Sequence, residues 1–265
     1  MNSFFLSILK REPVEVREGI AYFGNKEHGD CFDETDLALW QNGRFESNFE
    51  STAFIDNPVS NKLLAAITEA KSPVVELACG PGMGLMPSIK KLSSDCNCLA
   101  TDASVLVMEG WSSYLAERAD SPRIDFAQFS ILDIPFKDDS VPCYTSFIGV
   151  SSTRGGYDGY DQVLKEIYRT LKPGGLFCTI ESEWADIGAI LTLFEKWGQT
   201  PWESIISASR QPSWRERFEN CGFEVVSAEE FKYHKFTKDD NELGEAAEKY
   251  GIEIGTKLTA YILMK

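Results

Sequence analysis

Five short apolar runs between residues 74 and 180 are separated by stretches of helical period. This alternation constrains the fold more than any other feature of the 265-residue chain. The runs 74–78, 96–101, 124–129, 143–150 and 176–180 read as buried strands. The first helical stretch starts at Asn57 and Pro58, an N-cap followed by a first-turn proline, and carries Leu63, Leu64, Ile67 and Ala70 on one face. Later stretches carry Leu85, Met86, Ile89 and Leu92, then Val105, Leu106, Trp111, Tyr114 and Leu115, then Leu164, Ile167 and Leu171. Lys172, Pro173, Gly174 and Gly175 stop the last helix before the fifth strand. Strands joined through helices require right-handed crossovers. The expected fold is therefore α/β and doubly wound, with a mostly parallel sheet covered on both faces.

The flanks are less regular. Residues 1–56 show no sustained period and read as a cap or lid on a domain spanning 57–265. Phe4, Phe5, Leu6, Ile8 and Leu9 form one side of a short docking helix. They precede the first positive charges, whereas in a secretory signal the charges come first. Beyond residue 182 an aromatic helical stretch runs through Trp184, Leu191, Leu193, Phe194 and Trp197. Trp214, Phe218 and Cys221 mark another helix, stopped by Gly222. Two strand-like stretches, 223–236 and 257–264, close the chain around an acidic segment, 239–248, read as a solvated helix or loop.

A net charge of −15 argues against a nucleic-acid partner, because neutralising phosphates takes clustered Lys and Arg. No apolar run reaches the roughly 18 residues of a membrane span. The seven cysteines are scattered and read as reduced thiols of a cytoplasmic protein. Only two histidines, His28 and His234, are available, so no metal site is expected.

The most specific segment is VVELACGPGMG, 74–84, where a strand runs into Gly80, Gly82 and Gly84 and a helix begins at once. Such a turn lets a ligand approach bare backbone at a helix N-terminus. Its G-x-G-x-G spacing departs from the G-x-G-x-x-G of a dinucleotide site, which disfavours a nicotinamide dehydrogenase. Glu76 would oppose a pyrophosphate but could accept bonds from an ammonium group.

This run resembles the first motif of the class I S-adenosylmethionine-dependent methyltransferases, with Ala78 where glycine is commoner. The resemblance covers about 57–181. It implies their Rossmann-like fold, a seven-stranded sheet with an antiparallel last strand, and S-adenosyl-L-methionine as cofactor. On that resemblance Glu76 lies near the methionine amino group, and Ala78, Gly80 and Gly82 pass beneath methionine and ribose. Asp102, followed by Ala103, holds the ribose hydroxyls. The stretch 130–136 encloses the adenine, with Ser130 at the amino group and Ile131 against the ring, and Phe147 completes the set. The stretch LKEIYRTLKPGGLF, 164–177, resembles a signature of the small-molecule branch and implies a small-molecule methyl acceptor. A protein or nucleic-acid methyltransferase on the same fold, or a non-catalytic S-adenosylmethionine-binding protein, is the alternative.

Two positions depart from the family pattern. Ser130 stands where an acid often meets the adenine, with Asp133 three residues on, and Pro142 replaces an acid at the start of the fourth strand. Methyl transfer from a sulfonium needs mainly proximity and orientation, with a base only for a protonated nucleophile. The base candidates are His28, His234, Tyr157 and Tyr160, with His28 and Tyr157 put first. Tyr160 and Arg154 share the loop of Tyr157, and His234 reads as structural. The stretch 183–210 has no place in the alternation and reads as an acceptor-site insertion.

Overall fold

The computed structural model describes residues 1–24, 44–118, 121–153 and 156–265. Its strands are β1 (Glu15–Arg17), β2 (Ile20–Tyr22), β3 (Val74–Glu76), β4 (Cys98–Asp102), β5 (Asp125–Gln128), β6 (Val141–Phe147), β7 (Leu171–Trp184), β8 (Glu224–Lys235) and β9 (Gly255–Met264). The helices of the described residues are α1 (Ser3–Ser7), α2 (Arg44–Glu50), α3 (Ala53–Asp56), α4 (Pro58–Glu69), α5 (Met86–Leu92), α6 (Val105–Ala116), α7 (Gly156–Thr170), α8 (Ile187–Trp197), α9 (Glu203–Ser209), α10 (Trp214–Cys221) and α11 (Glu242–Tyr250).

One sheet of nine strands runs in the order β1-β2-β5-β4-β3-β6-β7-β9-β8. Strands β2 to β7 are parallel, and β9 lies antiparallel between β7 and β8. The expected seven strands are present, and the count is corrected by two. Residues 15–22, read as irregular cap, form a hairpin through Glu18 and Gly19 at positive φ, and β2 pairs in parallel with β5. Three-residue strands are too short for a period-two pattern to stand out in the sequence.

Strand alternation divides the core. Val75, Leu77, Leu99, Ala127, Tyr144 and Phe177 face Phe5 and Ile8 at the N-terminus, Leu164 and Ile167 of α7, and Phe218 of α10. Val74, Cys98, Ala100, Cys143 and Ile180 face Leu63 and Ile67 of α4, Ile89 of α5 and Trp111 of α6. The docking helix is α1: Phe5 is fully buried, while Leu6 is exposed. Helices α8 and α11 share a third, smaller core of Ile190, Leu193, Phe194, Leu243, Ala246 and Ala247, with Ile205 and Ile254. The stop at Lys172 to Gly175 is a bulge at the start of β7: the register with β6 jumps between Val141 and Cys143.

Candidate functional site: two cavities across one turn

The glycine turn is tied to the strands on both sides of β3. Leu77 N donates to Thr145 O at 2.8 Å, and Cys79 N donates to Thr101 O at 2.9 Å. Ala78 holds φ 49°, which explains why glycine suits that place: a left-handed conformation costs other residues about 1 kcal/mol or more. A Cβ placed on Gly82 would meet nothing within 4 Å, so its backbone lies open. It opens onto a cavity of about 730 Å³.

Eight of the nine cofactor candidates line this cavity: Ala78, Gly80 and Gly82 from the turn, Asp102 and Ala103 after β4, Ser130 and Ile131 after β5, and Phe147 at the end of β6. Asp102 is buried. Its Oδ2 accepts from Gly80 N at 2.9 Å and its Oδ1 from Ser104 N at 2.8 Å. Ser130 is exposed, and its Oγ accepts from Leu132 N at 3.3 Å. Asp133 does not line the cavity: it pairs with Arg11 at 2.6 Å on the surface. The N-terminal region closes one side with Asn48, Ser51 and Phe54. Phe54 packs edge-on to Phe147 at 5.0 Å, whereas Phe45 and Phe49 pack on Trp111 and Tyr114.

Glu76, the ninth candidate, is not among the lining residues. It is fully buried, its Oε2 accepts from Thr145 Oγ1 at 2.5 Å, and its Oε1 has no hydrogen-bond partner. Burial pushes its carboxyl up to about 8, against the pull of Thr145 and the Leu85 backbone. Glu76 is thus a neutral acid inside the turn at pH 7.

A second cavity, of about 760 Å³, opens at the ends of β6 and β7. Tyr157, Tyr160, Trp184 and Trp214 supply its aromatic wall, and Glu183, Asp186, Arg217 and Lys257 its charges. Arg217 pairs with Asp161 and lies over the Tyr157 ring at 5.2 Å. Lys257 Nζ stands 3.4 Å from Glu183 Oε1. Ile148 lines both cavities. Ser151 faces the second, and Gly149, Ser152 and Thr153 face the first. One short turn separates them.

Tyr157 lies in the second cavity, away from the glycine turn. Burial raises its hydroxyl and that of Tyr160, with Arg217 opposing, so both are protonated donors at neutral pH rather than ready bases. His28 and Arg154 lie outside the described residues. His234 is exposed, meets Asp240 at 3.1 Å and lines neither cavity. Among the described residues no cluster of His, Cys, Asp or Glu could hold a metal ion, and no helix is long and apolar enough to cross a membrane. Sequence reasoning missed Glu181, Glu183 and Asp186. Their signal was the carboxylates of E-S-E-W-A-D at the end of the fifth parallel strand of the alternation, where ligands gather in α/β sheets.

Residues 74–175 match the family model described as a methyltransferase domain. The chain is 43% identical over 60 residues to the mitochondrial 2-methoxy-6-polyprenyl-1,4-benzoquinol methylase of Dictyostelium discoideum, a match covering 23% of this chain and 18% of that protein. It spans well under two thirds of the curated relatives it matches. Among solved structures it is similar to an arsenic(III) S-adenosylmethionine methyltransferase of Chlamydomonas reinhardtii, with a TM-score of 0.52 and 15% identity, over 79% of this chain and 74% of that one. It is also similar to the [4+2]-cyclase SpnF, with a TM-score of 0.50 and 16% identity, over 78% and 81% of the two chains. Both likenesses concern the fold.

Proposed function

The chain belongs, through its segment 74–175, to the class I S-adenosylmethionine-dependent methyltransferases, and we propose that it transfers a methyl group to a small-molecule acceptor by in-line displacement. The observation that carries this reading is the pair of cavities meeting at one turn: a donor cavity built on the glycine turn and an acceptor cavity beside it. When bound, S-adenosylmethionine supplies an electrophilic sulfonium methyl. The residues fit that cofactor. Open backbone at Gly82 admits a close ligand, the Asp102 carboxylate lines the cavity at the end of β4 and is of a kind that suits a vicinal diol, and Ala103, Ser130 and Ile131 lie on the same cavity for a purine.

The second cavity is the proposed acceptor site, with the 183–210 insertion supplying Glu183, Trp184, Asp186 and Ile187. Its lining holds two acids and two bases, and the chain carries a charge of −15. That balance supports an acceptor without a phosphate chain and disfavours nucleic acid. The aromatic wall suits a planar acceptor, in keeping with the benzoquinol in the name of the Dictyostelium relative. Tyr157 orients the acceptor as a hydrogen-bond donor in this reading, Tyr160 supplies wall, and the walls exclude water. We place the enzyme in the cytoplasm, as its scattered thiols suggest.

Calorimetry with S-adenosylmethionine, its demethylated product and NAD tests the donor site. Binding of the first two and not the third is expected, and failure to bind either overturns the proposal. Transfer of labelled methyl to a panel of quinols, phenols and amines, compared with a duplex oligonucleotide, tests the acceptor class.

A further inference from the structure

We propose that Glu181 is the positioning residue for the wall between the two cavities, holding the 148–153 turn in the shape that lets donor and acceptor meet. The role of that wall rests on the two-cavity reading given above. Glu181 lines neither cavity, so it touches neither ligand and acts through the turn.

The turn departs from the sheet under strain. Ile148 N still donates to Ile180 O at 2.7 Å, the last rung of the β6–β7 ladder. At the same residue φ reaches 60°, a left-handed value that a β-branched side chain rarely adopts. Gly149 follows, where a Cβ would stand 2.3 Å from Ser146 Oγ and 3.0 Å from Leu77 O. Such backbone persists only where the surroundings over-determine it.

Two side chains from outside the turn grip it beyond the bend, at Ser151 and, for Glu181, at the neighbouring Val150 backbone as well. Glu181 Oε2 accepts from Ser151 N at 2.9 Å, and Tyr160 OH donates to Ser151 O at 2.8 Å. The other carboxylate oxygen, Oε1, accepts from Thr179 Oγ1 at 2.6 Å, which fixes the side chain to its own strand. The carboxyl group is wholly buried, which pushes its pKa up against the pull of the Thr179, Ser151 and Val150 donors; a packing role alone would give that place to an apolar side chain. Here it links the rigid centre of β7 to the residues that face both ligands: Ile148 and Ser151 toward the acceptor, and Ile148, Gly149, Ser152 and Thr153 toward the donor.

Amide hydrogen exchange and calorimetry with S-adenosylmethionine test this on Glu181→Gln and Thr179→Val. Turning the Gln amide nitrogen to Ser151 N would set two donors face to face, and turning its oxygen there would lose the carboxylate charge. The expected result for E181Q is an exchange rate at 149–153 raised by about tenfold or more, as loss of one charge-assisted bond implies. The strand amides of β6 and β7 stay protected, and cofactor affinity falls by a similar factor. T179V disturbs the same buried spot from the strand side but leaves the grip on Ser151, so both readouts stay within about threefold. Unchanged exchange at 149–153 in E181Q overturns the proposal. So does a rise spread evenly over the sheet, or T179V matching E181Q. Should E181Q not fold, Tyr160→Phe decides: the Ser151 amide stays protected if Glu181 holds it and exchanges freely if it does not. A wild-type chain that fails to bind S-adenosylmethionine defeats the methyltransferase reading, while the exchange arm still decides the grip of Glu181.

Discussion

Gly84 sits so close over Glu76 that a Cβ on the glycine would lie 1.8 Å from Glu76 Oε1 and 2.5 Å from its carboxyl carbon. The third glycine of the turn is therefore set by a buried acid beneath it, whereas Gly82 is open toward the ligand side. Two glycines in one motif answer to different physical demands.

Gly84→Ala should be strongly destabilising, because the methyl meets Glu76 and φ is 52°. Overpacking and a left-handed alanine together predict a loss of about 3 kcal/mol. Urea denaturation checks it. Gly84→Ala on a Glu76→Ala background should recover part of that loss, since the crowding carboxyl is gone.

Glu76 predicts a pH dependence with a definite sign. Its carboxyl is raised from 4.5 to about 8 in the folded chain. Between those values the folded state keeps a proton that the unfolded state releases. Stability from this group is thus fully present below the unfolded value, falls as pH rises from about 4.5 to 8, and levels off above. The slope is about 1.4 kcal/mol per pH unit within that window. Glu76→Gln removes it, so the difference in melting temperature between wild type and E76Q should shift against wild type from pH 5 to pH 9.

Asp102→Ala should weaken S-adenosylmethionine binding about tenfold or more, by the loss of charge-assisted bonds to the ribose. The same change frees Gly80 N and Ser104 N, which Asp102 now holds. Asp102→Asn keeps the shape and one acceptor oxygen, and should fall between wild type and alanine. Gly82→Val places its side chain in open space on the cavity and should abolish binding without lowering the melting temperature appreciably. Calorimetry and thermal melts separate the two effects.

For the adenine contact of the proposed cofactor, Ser130 lines the cavity while Asp133 is paired with Arg11. Ser130→Asp should tighten S-adenosylmethionine more than its inosine analogue, because a carboxylate is a stronger acceptor for the amino group that only the former carries. Asp133→Ala should leave that discrimination unchanged. A reversed pattern in competition binding would assign the contact to Asp133.

The sheet was legible because its physics is local. Strands β3 to β7 are buried on both faces and read as apolar runs, and the helices between them show their period. That eight of the nine proposed cofactor residues share one cavity has a related reason: they end or follow strands, and strand ends converge at one edge of a parallel sheet. Spacing alone could not show that the turn folds over Glu76 and buries it beneath Gly84. The β1–β2 hairpin escaped notice since three residues per strand carry too little pattern. Of the second cavity only the 183–210 stretch and the Tyr157–Tyr160 segment were named from sequence; the rest of its lining comes from elements far apart in the chain, from Ile148 to Lys257, which only the fold brings together.

The helices behind the acceptor wall rest on their own small core, apart from the two layers that clamp the sheet. A substitution in Ile190, Leu193 or Leu243 falls on that cluster and on no residue that lines either cavity. On the two-cavity proposal, the acceptor side can therefore be repacked from behind without altering a residue that lines the glycine-turn cavity.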